Sequence, residues 1–529
     1  MVRPKAREAI AVATIYTLAH GLMLLDRGVF WDDWICFRQP RALLVDFGRQ
    51  LGSTWPDFTS WLPYGSPFSV WATRVVMFAC FLGVALLALR LSRRVNVFDA
   101  ETRIAFASLV AVFPAMAARD SVANFVYPVS LVLFMVGWAL LDHSIDVKGW
   151  RAWLPRLTAL VVFFLSFRTA SLGMFYIVVI VWVLWRCGAT WRRPRKAMAI
   201  ALRWADVIVL PVAFWVFRST MAVPSGLFRD YNVLTWKSLK AARHLVPQAL
   251  RGSLVDAFAR MPAVAWWPVV LLVAIVSGIA LWGATAGSAA WTSRWRAVAA
   301  WMAIAGSGLL LVVLGVYPYL AVEKIPDFFE FNSRHQLLVP FGAALIVIGV
   351  IRALTDGARL PRAVRIGLLA AVIAMCAGAA AGDHLSYQRE WYKELGMIEA
   401  MRQAPQMQDG RAFVFVDHAM DLNINDRTWR RYYEYAGLFD EAFGTHDRFG
   451  ADEADKHGTT YFTARLTSTF KMERATSPRP DYRVIVERGS VDLRDPGVLA
   501  RMMWDEWTGS PGFAASTAGT VRLSFQPLD

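Results

Sequence analysis

Residues 26–34 read Asp-Arg-Gly-Val-Phe-Trp-Asp-Asp-Trp and follow directly on an apolar run. Asp32 and Asp33 are adjacent carboxylates framed by Phe30, Trp31 and Trp34. In an extended segment neighbouring side chains point to opposite faces, so the two carboxylates do not share one task. One can face a reaction site while the other holds the loop. The blander reading is that Trp31 and Trp34 form an interfacial aromatic belt and the aspartates are solvated. Further charges sit in short turns between apolar runs: Arg119 and Asp120, then Arg168, then Glu323, Lys324, Arg334 and His335. Charge at membrane depth is expensive and needs a partner or a ligand, although an arginine can also snorkel to the interface. Arginine suits a phosphate ligand, because its planar fork binds oxygens bidentately and stays protonated.

Asp32 with Asp33 offers oxygen ligands for Mg²⁺ or Mn²⁺, but no compact second cluster completes such a site. A divalent metal therefore stays open, and none is favoured. The histidines His20, His143, His244, His335, His384, His418, His446 and His457 are scattered. Asp417, His418 and Asp421 follow a candidate strand, where loop residues are more often turn formers than ligands. No phosphate-binding glycine loop, dinucleotide pattern or nucleophile elbow occurs.

The elements that must position these residues are membrane spans. Of 529 residues 56% are hydrophobic and only 18% charged, with 24 Trp and 33 Phe. That balance excludes soluble-enzyme, disordered, collagen-like and disulfide-scaffold classes. The four cysteines make no disulfide framework. The net charge of +15 reflects cytoplasmic Lys/Arg loops and calls for no nucleic acid. Apolar runs able to cross the bilayer as helices lie near 9–25, 70–89, 104–117, 124–141, 153–167, 171–186, 199–217, 263–283, 297–317, 336–354 and 364–382, about eleven transmembrane helices. Basic loops at 3–7, 90–94, 148–156, 192–203, 294–296 and 352–365 put the N-terminus in the cytoplasm as an uncleaved signal anchor. The runs at 104–117 and 157–167 are short and could be re-entrant.

An odd number of crossings places the first loop (26–69) and the tail (383–529) on the external, periplasmic face, leaving 1–382 as the membrane domain. The tail reads as a soluble α/β domain, with strand candidates at 412–416, 482–487 and 521–525 and a helix around 427–443. The segment 218–262 is basic although external. Leu234, Leu239, Leu245, Val246, Leu250, Leu254 and Phe258 recur at helical spacing opposite Lys237, Lys240 and Arg243, which describes helices on the membrane surface. They could cradle lipid phosphates or be a solvated connector.

The acidic pair Asp32-Asp33-Trp34 after an N-terminal span, short hairpins among the third to sixth spans, and an external C-terminal domain together resemble the GT-C superfamily of integral membrane glycosyltransferases. The resemblance covers the layout of the whole chain. It implies a plasma (inner) membrane enzyme of the cell envelope that transfers a sugar from a polyprenyl-phosphate donor to a glycan, lipid or protein acceptor. Asp32 or Asp33 matches the position of the base, without a resident cofactor. A departing phosphate is a stable anion, so one base and fixed cations suffice. Arg168 and Arg334 are the expected phosphate ligands, with Arg119, Lys324 and His335 beside them. The Trp-Trp-Asp signature of the oligosaccharyltransferase branch is absent, since Trp266-Trp267 is followed by Pro268. The alternatives are a transporter or flippase of a lipid-linked glycan and a non-catalytic envelope scaffold. The chain lacks the internal repeats typical of transporters.

Overall fold

The computed structural model describes residues 4–52, 64–189, 193–225, 228–229, 235–284, 293–326, 331–409, 412–445, 447–455 and 479–528. Every apolar run becomes helical, because a chain that meets hydrocarbon must satisfy its backbone polar groups within the segment. In chain order the principal helices are α1 (Pro4–His20), α2 (Pro67–Ser92), α3 (Ala100–Val112), α4 (Val126–Asp146), α5 (Trp153–Ser166), α6 (Ala170–Phe175) and α7 (Ile177–Arg186). There follow α8 (Pro194–Arg203), α9 (Ala205–Met221), α10 (Trp236–Leu250), α11 (Ala257–Val264), α12 (Trp267–Trp282), α13 (Arg294–Leu320), α14 (Val339–Ala358) and α15 (Arg362–Gln403). Local chemistry sets several starts: the side chains of Ser66, Asp99 and Ser293 accept backbone N–H groups of the first turns of α2, α3 and α13.

Among the described residues five helices are long and apolar enough to cross a membrane, or seven if each of two bent pairs counts as one span. The architecture is that of a polytopic helical membrane protein. Several expected spans are shorter or broken. The run at 104–117 ends its helix at Val112, the run at 171–186 is divided between α6 and α7, and that at 199–217 bends by 58° between α8 and α9. Before α12 the chain turns through 112°.

The basic segment behaves as an amphipathic helix within its described part. Thr235 caps α10 in a reciprocal box with Ser238. Leu239, Leu245, Val246 and Leu250 pack on the main core, while Lys237, Lys240 and Arg243 are exposed. Leu234 lies outside the described residues, as do His446 and His457.

One end of the bundle is tied by ion pairs centred on buried acids. Arg352, Arg362 and Arg365 surround Glu101, which has no exposed surface. Glu8 holds Arg93 and Arg103, and Asp142 holds Arg94 and Arg186. The most extensively packed helix pair is α13 against α14. A Cβ on Gly342 would stand 2.4 Å from the carbonyl oxygen of Gly308, and one on Gly308 would stand 2.6 Å from that of Gly342. Small residues let backbones approach where lipid offers no hydrophobic drive to associate.

The tail carries a four-stranded sheet in the order β2-β1-β3-β4, with β1 (Ala412–Asp417), β2 (Phe449–Asp452), β3 (Tyr482–Arg488) and β4 (Val521–Pro527). β1 pairs in parallel with β2 and β3, and β4 runs antiparallel to β3. The helices α16 (Tyr432–Phe443), α17 (Pro496–Thr508) and α18 (Gly512–Ala518) accompany it. The division at 382/383 falls inside α15, one unbroken 42-residue helix whose apolar first half is followed by a buried polar half. Trp34, Phe37 and Tyr64 of the first loop share a core with Phe413, Tyr435, Leu438 and Val484 of the tail. A Cβ on Gly437 would meet Trp34 at 2.5 Å, so α16 rests directly on that loop.

Candidate functional site

The acidic pair sits where the first loop meets the tail. Trp31 takes a positive φ of 50°, and the chain then enters the four-residue helix Asp33–Cys36. The turn sends the two carboxylates different ways. Asp33 has no exposed surface. Its Oδ1 accepts hydrogen bonds from Ser121 Oγ (2.8 Å) and the Ala123 N–H (2.7 Å), and its Oδ2 from the N–H groups of Val122 (3.0 Å) and Phe30 (3.3 Å). Burial raises its pKa to about 6, against the opposing pull of Arg74 and these donors. Asp33 is thus the clamp that ties the first loop to the turn before α4.

Asp32 faces the other way and keeps 35% of its side chain exposed. Tyr433, at the start of α16, donates its hydroxyl to Asp32 Oδ1 at 2.7 Å. Burial and the charge of Asp32 hold that phenol well above its ordinary pKa, so it remains a donor. Asp32 Oδ2 stands 3.9 Å from Arg334 Nη1, beyond hydrogen-bond range. Among the described residues that buried Nη1 makes no hydrogen bond. The guanidinium lies 3.7 Å over the ring of Phe331. A half-open carboxylate, a tyrosine that orients it and an arginine with a spare donor therefore surround one point, where an oxygen-rich ligand can bridge acid and base.

The remaining candidates are distributed around this point. Trp31 packs against Phe331 (5.2 Å) and Tyr387 (5.4 Å), so it forms the wall behind Arg334. Trp34 is fully buried under α16 and belongs to the core. His335 faces the ring of Tyr319 at 4.5 Å, and burial, with the charges of Arg334 and Lys324, pushes its pKa down to about 2. It is a neutral imidazole at working pH. Lys324 therefore lies within electrostatic reach of His335. Arg168 is lowered to about 10 by burial and interacts with the charge state of Tyr64 in the first loop. Arg119 is not at this site. It stands beside His20, under the ring of Phe81 at 4.9 Å.

Arg74 is the main brace of the region and carried no signal in the sequence beyond being an arginine in an apolar run. It is completely buried and donates to the carbonyls of Asp120 (2.7 Å), Asp26 (3.1 Å) and Gly28 (2.5 Å). Tyr433, 401 positions from Asp32, likewise had none.

In the tail Asp417 pairs with Lys393 at 2.5 Å, and Asp421 with Arg488 at 2.7 Å. These carboxylates are engaged by cations. Glu390, Glu394 and Glu434 bring ligand atoms within 4.8 Å of one another. Arg427 pairs with Glu390 and Glu434, and Arg430 with Glu390 and Glu394, which makes this an ion-pair network instead of a metal site. The chain matches no protein-family model, no curated protein and no solved structure.

Proposed function

We propose that this protein is a membrane glycosyltransferase of GT-C type that transfers a sugar from a polyprenyl-phosphate donor to an external glycan, lipid or protein acceptor. The observation that carries the reading is the contrast within the acidic pair. Asp33 is consumed by the backbone, whereas Asp32 is accessible, oriented by Tyr433 and set beside the unsatisfied donor of Arg334.

In this reading Asp32 takes the proton of the acceptor hydroxyl as its oxygen bonds to the anomeric carbon. The bond from that carbon to the phosphate oxygen breaks, and the polyprenyl phosphate leaves as an anion. Arg334 stabilises the charge that builds on it, supported by Lys324 and by Arg168. His335, being neutral, contributes no charge and can only hydrogen-bond. The apolar helices supply the bilayer in which the donor's chain is held.

The test compares Asp32→Asn and Asp33→Asn in membranes supplied with polyprenyl-phosphate sugars. Asp32→Asn is expected to lose transfer by about a hundredfold to ten-thousandfold, the usual size of a general-base contribution, with donor binding unchanged. Asp33→Asn should instead lose activity together with thermal stability. Arg334→Lys should weaken donor binding about tenfold or more, because an ammonium cannot reproduce the bidentate fork. Full transfer in both aspartate variants would exclude the enzyme reading and favour the transporter or scaffold.

A further inference from the structure

The helix α17 turns one face into the tail and leaves aromatic rings on the other. Leu499 and Met502 are buried in a core with Tyr392 and Leu422. On the opposite face, three positions apart, Trp504 is 65% and Trp507 45% exposed, and Arg501 beside them is exposed too. A scattered apolar residue on a surface calls for no account, but contiguous rings do. These rings continue onto the membrane bundle. Trp507 stands 6.4 Å from Trp71, and Trp71 stands 5.7 Å from Phe68, which is 71% exposed. Phe68 and Trp71 belong to the first turns of α2, one of the helices able to cross a membrane. Trp71 also donates its indole N–H to the carbonyl oxygen of Leu24 at 2.8 Å, just beyond α1. Arg27 of the first loop lies 5.2 Å over the ring of Trp507 and donates to the carbonyl oxygen of Glu506 at 3.4 Å.

We propose that this face of α17 anchors the tail on the lipid surface, with Trp504 and Trp507 in the interfacial layer of the bilayer that α2 enters and Arg501 against lipid phosphates. The depth follows from α2. Its helix begins at Pro67, so Trp71 lies only about 6 Å along the axis, at the level where a span leaves the headgroups. Indole rings favour that layer, because an apolar body and an N–H donor are satisfied there together. Continuity selects lipid as the occupant. Phe68 starts a stripe on α2 that runs on through the exposed Val76 and Ala79, and a helix that spans a membrane turns such a stripe to the lipid. A protein partner seated on Trp504 and Trp507 would have to share its edge with that surface. The anchor bears on the acidic loop as well. Glu506, between Asp505 and Trp507, accepts hydrogen bonds from Trp391 Nε1 and the Tyr392 hydroxyl at 3.0 Å each, while Arg27 binds its backbone. Lipid contact at α17 therefore sets the seat of the tail on the loop, whatever chemistry Asp32 performs.

The full wild-type chain is reconstituted in vesicles of phosphatidylcholine and phosphatidylglycerol that contain a phospholipid with a diazirine near its headgroup. After irradiation and proteolysis, lipid adducts are expected on the peptide that carries Trp504 and Trp507, and none on the peptide around Gln408, which is exposed beyond the far end of α15. Trp504→Asp should reduce labelling of the α17 peptide several-fold and leave that of α13 unchanged. Adducts confined to the spanning helices, or undiminished labelling in Trp504→Asp, would overturn the anchor. The second arm places a photoreactive ring of similar bulk, Trp504→p-benzoylphenylalanine, in the full chain in its native membrane. A phospholipid adduct by intact mass is the expected product. A crosslinked dimer of the chain, a crosslink to another protein, or no crosslink would each overturn the proposal, the first two by giving the face to a protein and the last by giving it to water. Should a variant fail to fold, the wild-type adduct map decides by itself.

Discussion

Asp33 and its neighbour differ by one position in the chain and by nearly everything in their surroundings. Asp33 has a folded pKa near 6 against an ordinary 3.8, because burial outweighs its donors. A carboxyl whose folded pKa is raised binds its proton more tightly in the native state, so it favours folding as pH falls through 6 towards 4 and opposes it above 6. The comparison to make is between wild type and Asp33→Asn in the same detergent. The asparagine variant should be less stable at pH 7, where its amide presents donors to backbone N–H groups. The gap should widen by about 2 kcal/mol on going to pH 4.5, since only the wild type gains there. Thermal unfolding at the two pH values measures it, and a gap that narrows would contradict the burial argument. That the two side chains would point different ways was legible from the alternation of an extended segment, although the backbone separates them by a positive φ at Trp31 and a helical turn. Which member does what depends on Ser121, Ala123 and Tyr433, and distance in the sequence hides all three.

Among the elements, the apolar runs were legible because hydrocarbon imposes one rule on every residue that meets it. The breaks were less so. Composition does not record that the 171–186 run divides between α6 and α7, nor that the chain turns by 112° before α12, because both follow from what the neighbouring helices leave room for. In the tail, β1, β3 and β4 fall close to the expected runs, while β2 is four residues long and too short to show a period. The most extensively packed helix pair offers a direct check of packing. Gly342→Leu puts a side chain where a bare Cβ already meets the Gly308 carbonyl oxygen at 2.4 Å. It should cost about 1–3 kcal/mol through overpacking, or more if α13 and α14 separate. The same change at Gly367, which has open space around it, should be nearly neutral. Detergent-solubilised unfolding temperatures of the two variants side by side give the answer.

At the scale of the molecule, the tail reads as a separate domain by composition but is built into the loop it covers, since Trp34 and Gly437 meet in one core. Long-range convergence of this kind also gathers His20 with His384, which one-dimensional reading leaves scattered. The 42 residues of α15 give the joint a further property. At about 1.5 Å per residue the helix is about 63 Å long, roughly twice the hydrocarbon thickness, and it passes from lipid into the tail without a hinge. It therefore behaves as a shaft whose angular phase is shared by both ends: His384 near the bilayer, Tyr387 behind Trp31, and Lys393 under β1 all depend on one rotation. One alanine inserted between Tyr387 and Gln388 would rotate everything beyond it by about 100°, whereas four would nearly restore the angle while moving the tail outward by about 6 Å. If phase governs the coupling, the four-residue insertion should retain more of the protease resistance of the tail than the single one, although it displaces the tail four times as far.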